Sequence, residues 1–132
     1  MLIFPDGRRI GSISGGCLEG DVCKKAWWFT EGGKPAVRVY DTSSGDDAVW
    51  EFGLGCNGIV HVLFERVADP GTAAMLRFIG EARARRKPVS IATVVGVSPA
   101  ASVRLGDRLL FDAQGIQGGT LADPAPVGPG KE

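Results

Sequence analysis

Several residue types that mark particular protein classes are scarce in this sequence. The 132 residues include only one His, one Tyr and three Cys, namely Cys17, Cys23 and Cys56. An odd number of widely spaced Cys excludes a disulfide framework and favours a reducing, cytoplasmic setting. No Cys-x-x-Cys pair occurs, so we predict neither a structural zinc site nor a thioredoxin-like dithiol. The single His61 lies in an apolar run, which favours a structural role for it.

Net charge and long apolar runs are also missing. The 15 basic and 15 acidic side chains cancel, so no net field attracts the chain to nucleic acid or to a membrane surface. No apolar run approaches the roughly 20 residues of a spanning helix, and no signal-peptide pattern begins the sequence. The three Trp are not spaced as a base-stacking platform. We therefore expect neither nucleic acid nor membrane among its partners.

The motifs of the common nucleotide-binding and hydrolytic folds are absent as well. There is no Gly-x-Gly-x-x-Gly unit between a strand and a helix, no Walker loop and no Gly-x-Ser-x-Gly elbow. No self-contained catalytic constellation is visible, so we assign no catalytic residue.

Alternating and helical apolar patterns predict an α+β fold. Helices are predicted from about Cys17 to Phe29 and from about Thr72 to Arg86. The most continuously apolar runs, Ile59–Phe64 and Val89–Val95, are predicted as central strands. The expected architecture is a mixed β-sheet with two helices packed against it. We expect one domain over residues 1–123 and a flexible, Pro- and Gly-rich tail over residues 124–132.

Gly11 to Val22, with the sequence GSISGGCLEGDV, is the most informative stretch. It predicts a Gly-Gly-Cys strand-to-helix turn, in which adjacent glycines let backbone N–H groups approach a ligand. A helix N-terminus favours an anion or a thiolate, which makes Cys17 a candidate nucleophile or metal ligand. A small buried Cys in an ordinary turn is an equally good interpretation. Glu19 either accepts N–H groups of the first helical turn or contacts a ligand, and a merely favourable first-turn acid is an interpretation at least as good.

A second glycine-rich thiol element reads Gly55-Cys56-Asn57-Gly58. If the two elements are neighbours in space, Cys17 and Cys56 face one pocket without forming a structural disulfide. Cys23 falls about 120° around the first helix from Cys17, so we expect it outside this pocket.

Two longer stretches resemble the signatures of a known family. MLIFPDGRRIGSISGGCLE, over residues 1–19, is similar to the first signature of the xanthine dehydrogenase accessory family, the XdhC/CoxI type. GLGCNGIVHVLFE, over residues 53–65, resembles the second. Full-length members usually have a preceding strand and an added Rossmann-type domain, so the resemblance implies an isolated amino-terminal module, truncated at its amino end.

The resemblance implies a maturation factor that binds the molybdenum cofactor (molybdopterin) and delivers it to a molybdenum hydroxylase such as xanthine or carbon monoxide dehydrogenase. The implied partners are the apo-hydroxylase and a cysteine desulfurase, and the exposed edge of a sheet that lacks its first strand predicts a homodimer. The implied cofactor-binding residues are Ser14, Gly15, Gly16, Cys17 and Glu19, with Gly55, Cys56, Asn57 and Gly58 second, and Cys17 as the metal ligand.

Two other classes of function fit the same residues. One is an enzyme that uses Cys17 for redox or sulfur-transfer chemistry. The other is an interaction module that has lost cofactor binding together with its missing parts.

Overall fold

The computed structural model describes residues 1–41 and 58–121. The chain divides into two compact units, Met1–Phe64 and Glu65–Glu132. In their described residues both units combine α-helix with antiparallel strands, which confirms the predicted α+β class. The Gly55-Cys56-Asn57 segment and the predicted tail lie outside the described residues.

The first unit opens with a short hairpin of β1 (Leu2–Ile3) and β2 (Arg9–Ile10). Asp6 and Gly7 form its turn: the Asp6 carboxylate accepts from the Arg8 backbone N–H at 3.0 Å, and Gly7 adopts φ 83°. The positive φ requires glycine, because a side chain there is strained. The loop that begins at Gly11 connects this hairpin to the first helix.

Helix α1 (Glu19–Phe29) and a two-stranded sheet form the core of this unit. β3 (Ala36–Asp41) pairs antiparallel with β4 (Ile59–Phe64), with Tyr40 opposite Val60 and Arg38 opposite Val62. Because side chains alternate along a strand, one face of the pair supplies buried residues and the other remains open. The buried core residues are Leu18, Val22, Tyr40, Val62 and Phe64.

The second unit begins with helix α2 (Pro70–Arg85). Asp69 caps it by accepting from the Thr72 N–H at 3.0 Å, and Pro70 occupies the first turn, where a missing N–H costs nothing. At the other end Arg86 adopts a left-handed conformation, and the Lys87 N–H donates to the Ala82 carbonyl at 2.9 Å. The prediction of this helix is confirmed, with a start two residues earlier than expected.

A three-stranded antiparallel sheet completes the second unit. β6 (Arg108–Asp112) lies between β5 (Ser90–Thr93) and β7 (Gly115–Gly118). Arg108 is buried, and its guanidinium donates to Glu65, to the Gly106 carbonyl at 2.9 Å and to the Met75 sulfur at 2.7 Å. This buried arginine therefore connects α2 to β6, the central strand of the three-stranded sheet.

The strand arrangement differs from the predicted single mixed sheet. Over residues 1–41 and 58–121 all strand pairs are antiparallel and form three small sheets. The Ile59–Phe64 strand has its predicted bounds, but it pairs only with β3 in the described part of the chain, and Ile59 is 58% exposed. The Val89–Val95 run shortens to Ser90–Thr93 at a sheet edge. Both apolar runs therefore form strands as predicted, but among the described residues neither has a partner strand on both sides, because pairing depends on partners distant in sequence.

Neither described helix is long and apolar enough to span a membrane.

Candidate functional site

The loop that precedes α1 is organised around the side chain of Glu19. Its Oε1 accepts hydrogen bonds from the Ser12 hydroxyl at 2.7 Å and from the backbone N–H groups of Ile13 and Ser14 at 2.8 Å each. Its Oε2 accepts from the Ser14 hydroxyl at 2.9 Å and from the Gly16 N–H at 2.8 Å. Five donors thus converge on one carboxylate, which belongs to a residue only 2% exposed.

The two serine hydroxyls extend this network by accepting further N–H groups. Ser12 Oγ accepts from the Gly15 N–H at 3.1 Å, and Ser14 Oγ accepts from the Leu18 N–H at 2.9 Å. Each hydroxyl therefore donates to the carboxylate and accepts from the backbone, which a hydroxyl group does with its single proton and two lone pairs. Together these bonds give side-chain acceptors within the loop and α1 to the N–H groups of Ile13, Ser14, Gly15, Gly16 and Leu18.

Gly15 and Gly16 supply the backbone conformation that closes this loop. Their φ angles are 78° and 133°, in a region that residues with a β-carbon rarely adopt. A β-carbon built at either position meets no heavy atom within 4 Å. The requirement for glycine is thus conformational and not one of space.

Hydrogen bonding keeps Glu19 ionised. The N–H of Ser14, then the N–H of Ile13 and the hydroxyl of Ser12, stabilise the charged form and hold the pKa of the Glu19 carboxyl well below its ordinary value of 4.5. Burial acts in the opposite direction and is outweighed. The centre of the loop therefore carries a fixed negative charge at neutral pH.

Cys17 is half-buried and lies two residues before α1 begins at Glu19. The sequence predicted it inside the first helical turn, after a strand over Ser12–Ser14. In the structure Ser12–Ser14 is an irregular loop, because its N–H groups bond to the Glu19 carboxylate and not to another strand. Cys23, also half-buried, lies within α1.

The orientation of the loop N–H groups differs from the expected one. The sequence suggested that the glycine turn directs backbone donors at a bound anion. The donors of Ile13, Ser14 and Gly16 instead point at Glu19, so the chain's own carboxylate fills the anion-binding concavity.

Of the remaining predicted site residues, only Gly58 belongs to the part of the chain that the structure describes. Gly58 lies immediately before β4, while Gly55, Cys56 and Asn57 are outside the described residues. A pocket shared by Cys17 and Cys56 therefore stays a prediction. Within residues 1–41 and 58–121, no three His, Cys, Asp or Glu side chains are grouped as a metal site.

Sequence reasoning missed Ser12, which the structure places beside Ser14 as a second anchor of Glu19. The signal was present as two serines separated by one residue, followed by two glycines and an acid at the start of a helix. Such short polar side chains commonly bond to nearby backbone and compete with strand formation. The sequence alone does not say that the acid bends back towards them.

The part of the chain that contains this loop is similar to known proteins. Residues 1–41, which include the whole Glu19 network, match the model of the XdhC and CoxI family. The chain is 45% identical over 69 residues to a Bacillus subtilis (strain 168) protein named as a probable xanthine dehydrogenase subunit. The crystal structure of a xanthine dehydrogenase from Bacillus halodurans is similar with a TM-score of 0.59 at 32% identity. These matches confirm the resemblance inferred from the sequence motifs.

The chain is much shorter than both relatives. The first match covers 52% of this chain and 21% of the Bacillus subtilis protein. The second covers 83% of this chain and 31% of the Bacillus halodurans one.

Proposed function

We propose that this chain is a cofactor-binding module that assists the maturation of a molybdenum hydroxylase, such as xanthine or carbon monoxide dehydrogenase. It binds the molybdenum cofactor and delivers it to the apo-enzyme, and it is not itself the catalyst. Support comes from the family match over residues 1–41 and from the names of the relatives, which link the chain to xanthine dehydrogenase-related proteins.

The observation that carries the proposal is a partly exposed thiol on a loop of fixed shape. Cys17 follows directly after Gly16, whose N–H is bonded to Glu19, and precedes Leu18, which is 1% exposed. The thiol is therefore anchored on both sides by backbone that has little freedom. A ligand that binds such a preorganised group loses less entropy on ordering it.

The donor set at the loop fits one part of the cofactor and not another. Thiolate is a soft ligand that suits a thiophilic metal, so Cys17 is the residue we assign to the molybdenum end. The N–H groups of Ile13, Ser14 and Gly16 are bonded to Glu19 and are not assigned to the pterin phosphate. When bound, the group supplies the molybdenum centre of the hydroxylase, while this chain binds and orients it.

Other residues belong to the proposal by family resemblance alone. Gly15 and Gly16 present exposed backbone beside the thiol, and the Gly55-Cys56-Asn57-Gly58 segment is proposed as a second contact. The proposed protein partners are the apo-hydroxylase and a cysteine desulfurase, which installs the terminal sulfur of the cofactor.

A binding titration tests the proposal. Purified molybdenum cofactor is added anaerobically to wild-type protein, to Cys17→Ser and to Cys23→Ser, and the bound fraction is measured by molybdenum analysis after rapid gel filtration. Cys23→Ser is the matched control, because it removes a thiol of similar exposure from the same unit. We expect wild type and Cys23→Ser to bind alike and Cys17→Ser to bind at least about tenfold more weakly, the effect of about 1.4 kcal/mol.

Equal binding by all three proteins contradicts the assignment of Cys17. Absence of binding by wild type contradicts the proposed function itself. In that case, unusually fast alkylation of Cys17 alone at neutral pH favours the thiol-dependent enzyme, because reactive cysteines are those with a stabilised thiolate.

A further inference from the structure

The backbone from Ser12 to Gly16 depends on one side chain for its shape. These residues belong to neither a strand nor a helix, so they lack the repeating hydrogen bonds that fix regular elements. Three of their N–H groups and both of their serine hydroxyls donate to Glu19. Loss of this acceptor leaves several donors without a partner at the same time.

We propose that Glu19 is a positioning residue for Cys17, with Ser12 as one of its supports. Its carboxylate fixes the loop that presents the thiol and does not itself contact the ligand. This role of Glu19 rests on the proposed function of the site. The experiment that tests it measures the reactivity of the Cys17 thiol and needs no cofactor.

The accessibility of Glu19 argues against direct ligand contact. The residue is 2% exposed, and both carboxylate oxygens are shared among donors of its own loop. An incoming ligand would have to break these bonds, which are charge-assisted and therefore stronger than neutral ones. The occupied concavity also excludes free inorganic anions, since like charges repel at short distance.

Ser12 supports the carboxylate without carrying charge. Its hydroxyl donates to Glu19 Oε1 at 2.7 Å and accepts from the Gly15 N–H at 3.1 Å. Removing it cancels two bonds of the loop while the carboxylate remains. Ser12 therefore separates the effect of loop geometry from the effect of the Glu19 charge on the thiol.

Glutamine cannot replace glutamate in this network. An amide presents one oxygen and one NH₂ group. If the NH₂ takes the Oε2 position, it faces the Gly16 N–H; if it takes the Oε1 position, it faces the N–H groups of Ile13 and Ser14. Either orientation opposes donors that cannot rotate away, so Glu19→Gln loosens the loop with almost no change in volume.

The test compares the alkylation rates of two thiols in the same molecule. Wild-type protein, Glu19→Gln, Ser12→Ala and Glu31→Gln are treated with limiting iodoacetamide, and modification of Cys17 and Cys23 is measured by peptide mass spectrometry. Cys23 is the internal reference within α1, and Glu31→Gln makes the same charge change at an exposed acid of the same unit. Circular dichroism verifies that each variant is folded.

We expect the Cys17-to-Cys23 rate ratio to rise about tenfold in Glu19→Gln, as broken charge-assisted bonds permit local opening. It rises by a smaller factor in Ser12→Ala and is unchanged in Glu31→Gln. Millimolar phosphate leaves the wild-type ratio unaltered.

Wild-type ratios in both folded variants overturn the proposal. A rise in Glu19→Gln with no rise in Ser12→Ala identifies a charge effect on the thiol and overturns it as well. If Glu19→Gln does not fold, Ser12→Ala alone decides. A protein that passes this test but binds no molybdenum cofactor contradicts only the proposed function.

Discussion

Ser14 donates to both oxygens of Glu19, through its backbone N–H to Oε1 at 2.8 Å and through its hydroxyl to Oε2 at 2.9 Å. The same hydroxyl accepts from the N–H of Leu18, the residue directly before α1. One residue thus joins the loop, the carboxylate and the first turn of the helix. The local structure around Cys17 follows from this junction.

Replacing Ser14 by Ala should destabilise the protein. The substitution removes a charge-assisted hydrogen bond and leaves the Leu18 N–H without its acceptor, at an expected cost of about 1–3 kcal/mol. Urea unfolding followed by circular dichroism measures this change. Ser102→Ala, which alters an exposed serine of the second unit, is the control and should fall within about 0.5 kcal/mol of wild type. A Ser14→Ala protein as stable as this control would show that the hydrogen bonds of the Ser14 hydroxyl do not contribute to the stability of the fold.

Acid should destabilise the first unit through Glu19. The folded pKa of this carboxyl lies below the ordinary value of 4.5, so on acidification the unfolded chain takes up the proton first. The stabilisation is therefore complete above about pH 5.5 and is lost progressively as the pH falls below about 4.5. Unfolding free energies measured from about pH 7 to 3 should decline more steeply for wild type than for Glu19→Gln. If the unfolding free energies of the two proteins declined in parallel, the lowered pKa could not be assigned to Glu19.

The buried Arg108 predicts a strong coupling in the second unit. Its side chain is 1% exposed and is paired with Glu65, which is 15% exposed. Arg108→Met leaves the Glu65 charge without its partner, at an expected cost of about 3–5 kcal/mol. The double variant Arg108→Met/Glu65→Gln removes that charge as well and should recover at least about 1 kcal/mol in a double-mutant cycle. Additive losses would show that the two side chains do not interact.

Two glycines of the second unit should respond to alanine in opposite directions. Gly119 has φ 116°, and an added β-carbon would clash with the Arg108 carbonyl and lie 2.9 Å from Leu109 Cα. Gly80 lies within α2 and has open space around it. We expect Gly119→Ala to destabilise by more than about 1 kcal/mol and Gly80→Ala to stabilise by about 1 kcal/mol. Thermal unfolding of both proteins measures the difference, and an equal response would contradict the backbone argument.

The sequence predicted the local features well and the long-range pairing poorly. The bounds of β4 and the end of α1 at Phe29 are as predicted, because apolar periodicity and the Gly32-Gly33 stop are local signals. The division of the described strands into three sheets was not predicted, since strand register depends on residues far apart in the chain. At the candidate site, Cys17 was predicted as a candidate nucleophile or metal ligand, and the structure places it on the loop directly before α1. Acceptance of N–H groups by Glu19 was one of the interpretations, but from the first helical turn and not from the preceding loop, because only the folded loop shows where its donors point.

Protection of Cys17 by the cofactor is the most direct test of the account. Wild-type protein is alkylated with and without saturating molybdenum cofactor, and modification of each thiol is measured separately by mass spectrometry. We expect the cofactor to slow alkylation of Cys17 at least about tenfold, because occupancy of about 90% or more of the sites leaves about a tenth of the protein reactive. Cys23 should react at an unchanged rate. Bound cofactor that leaves Cys17 as reactive as in its absence, or that slows both thiols equally, would contradict it.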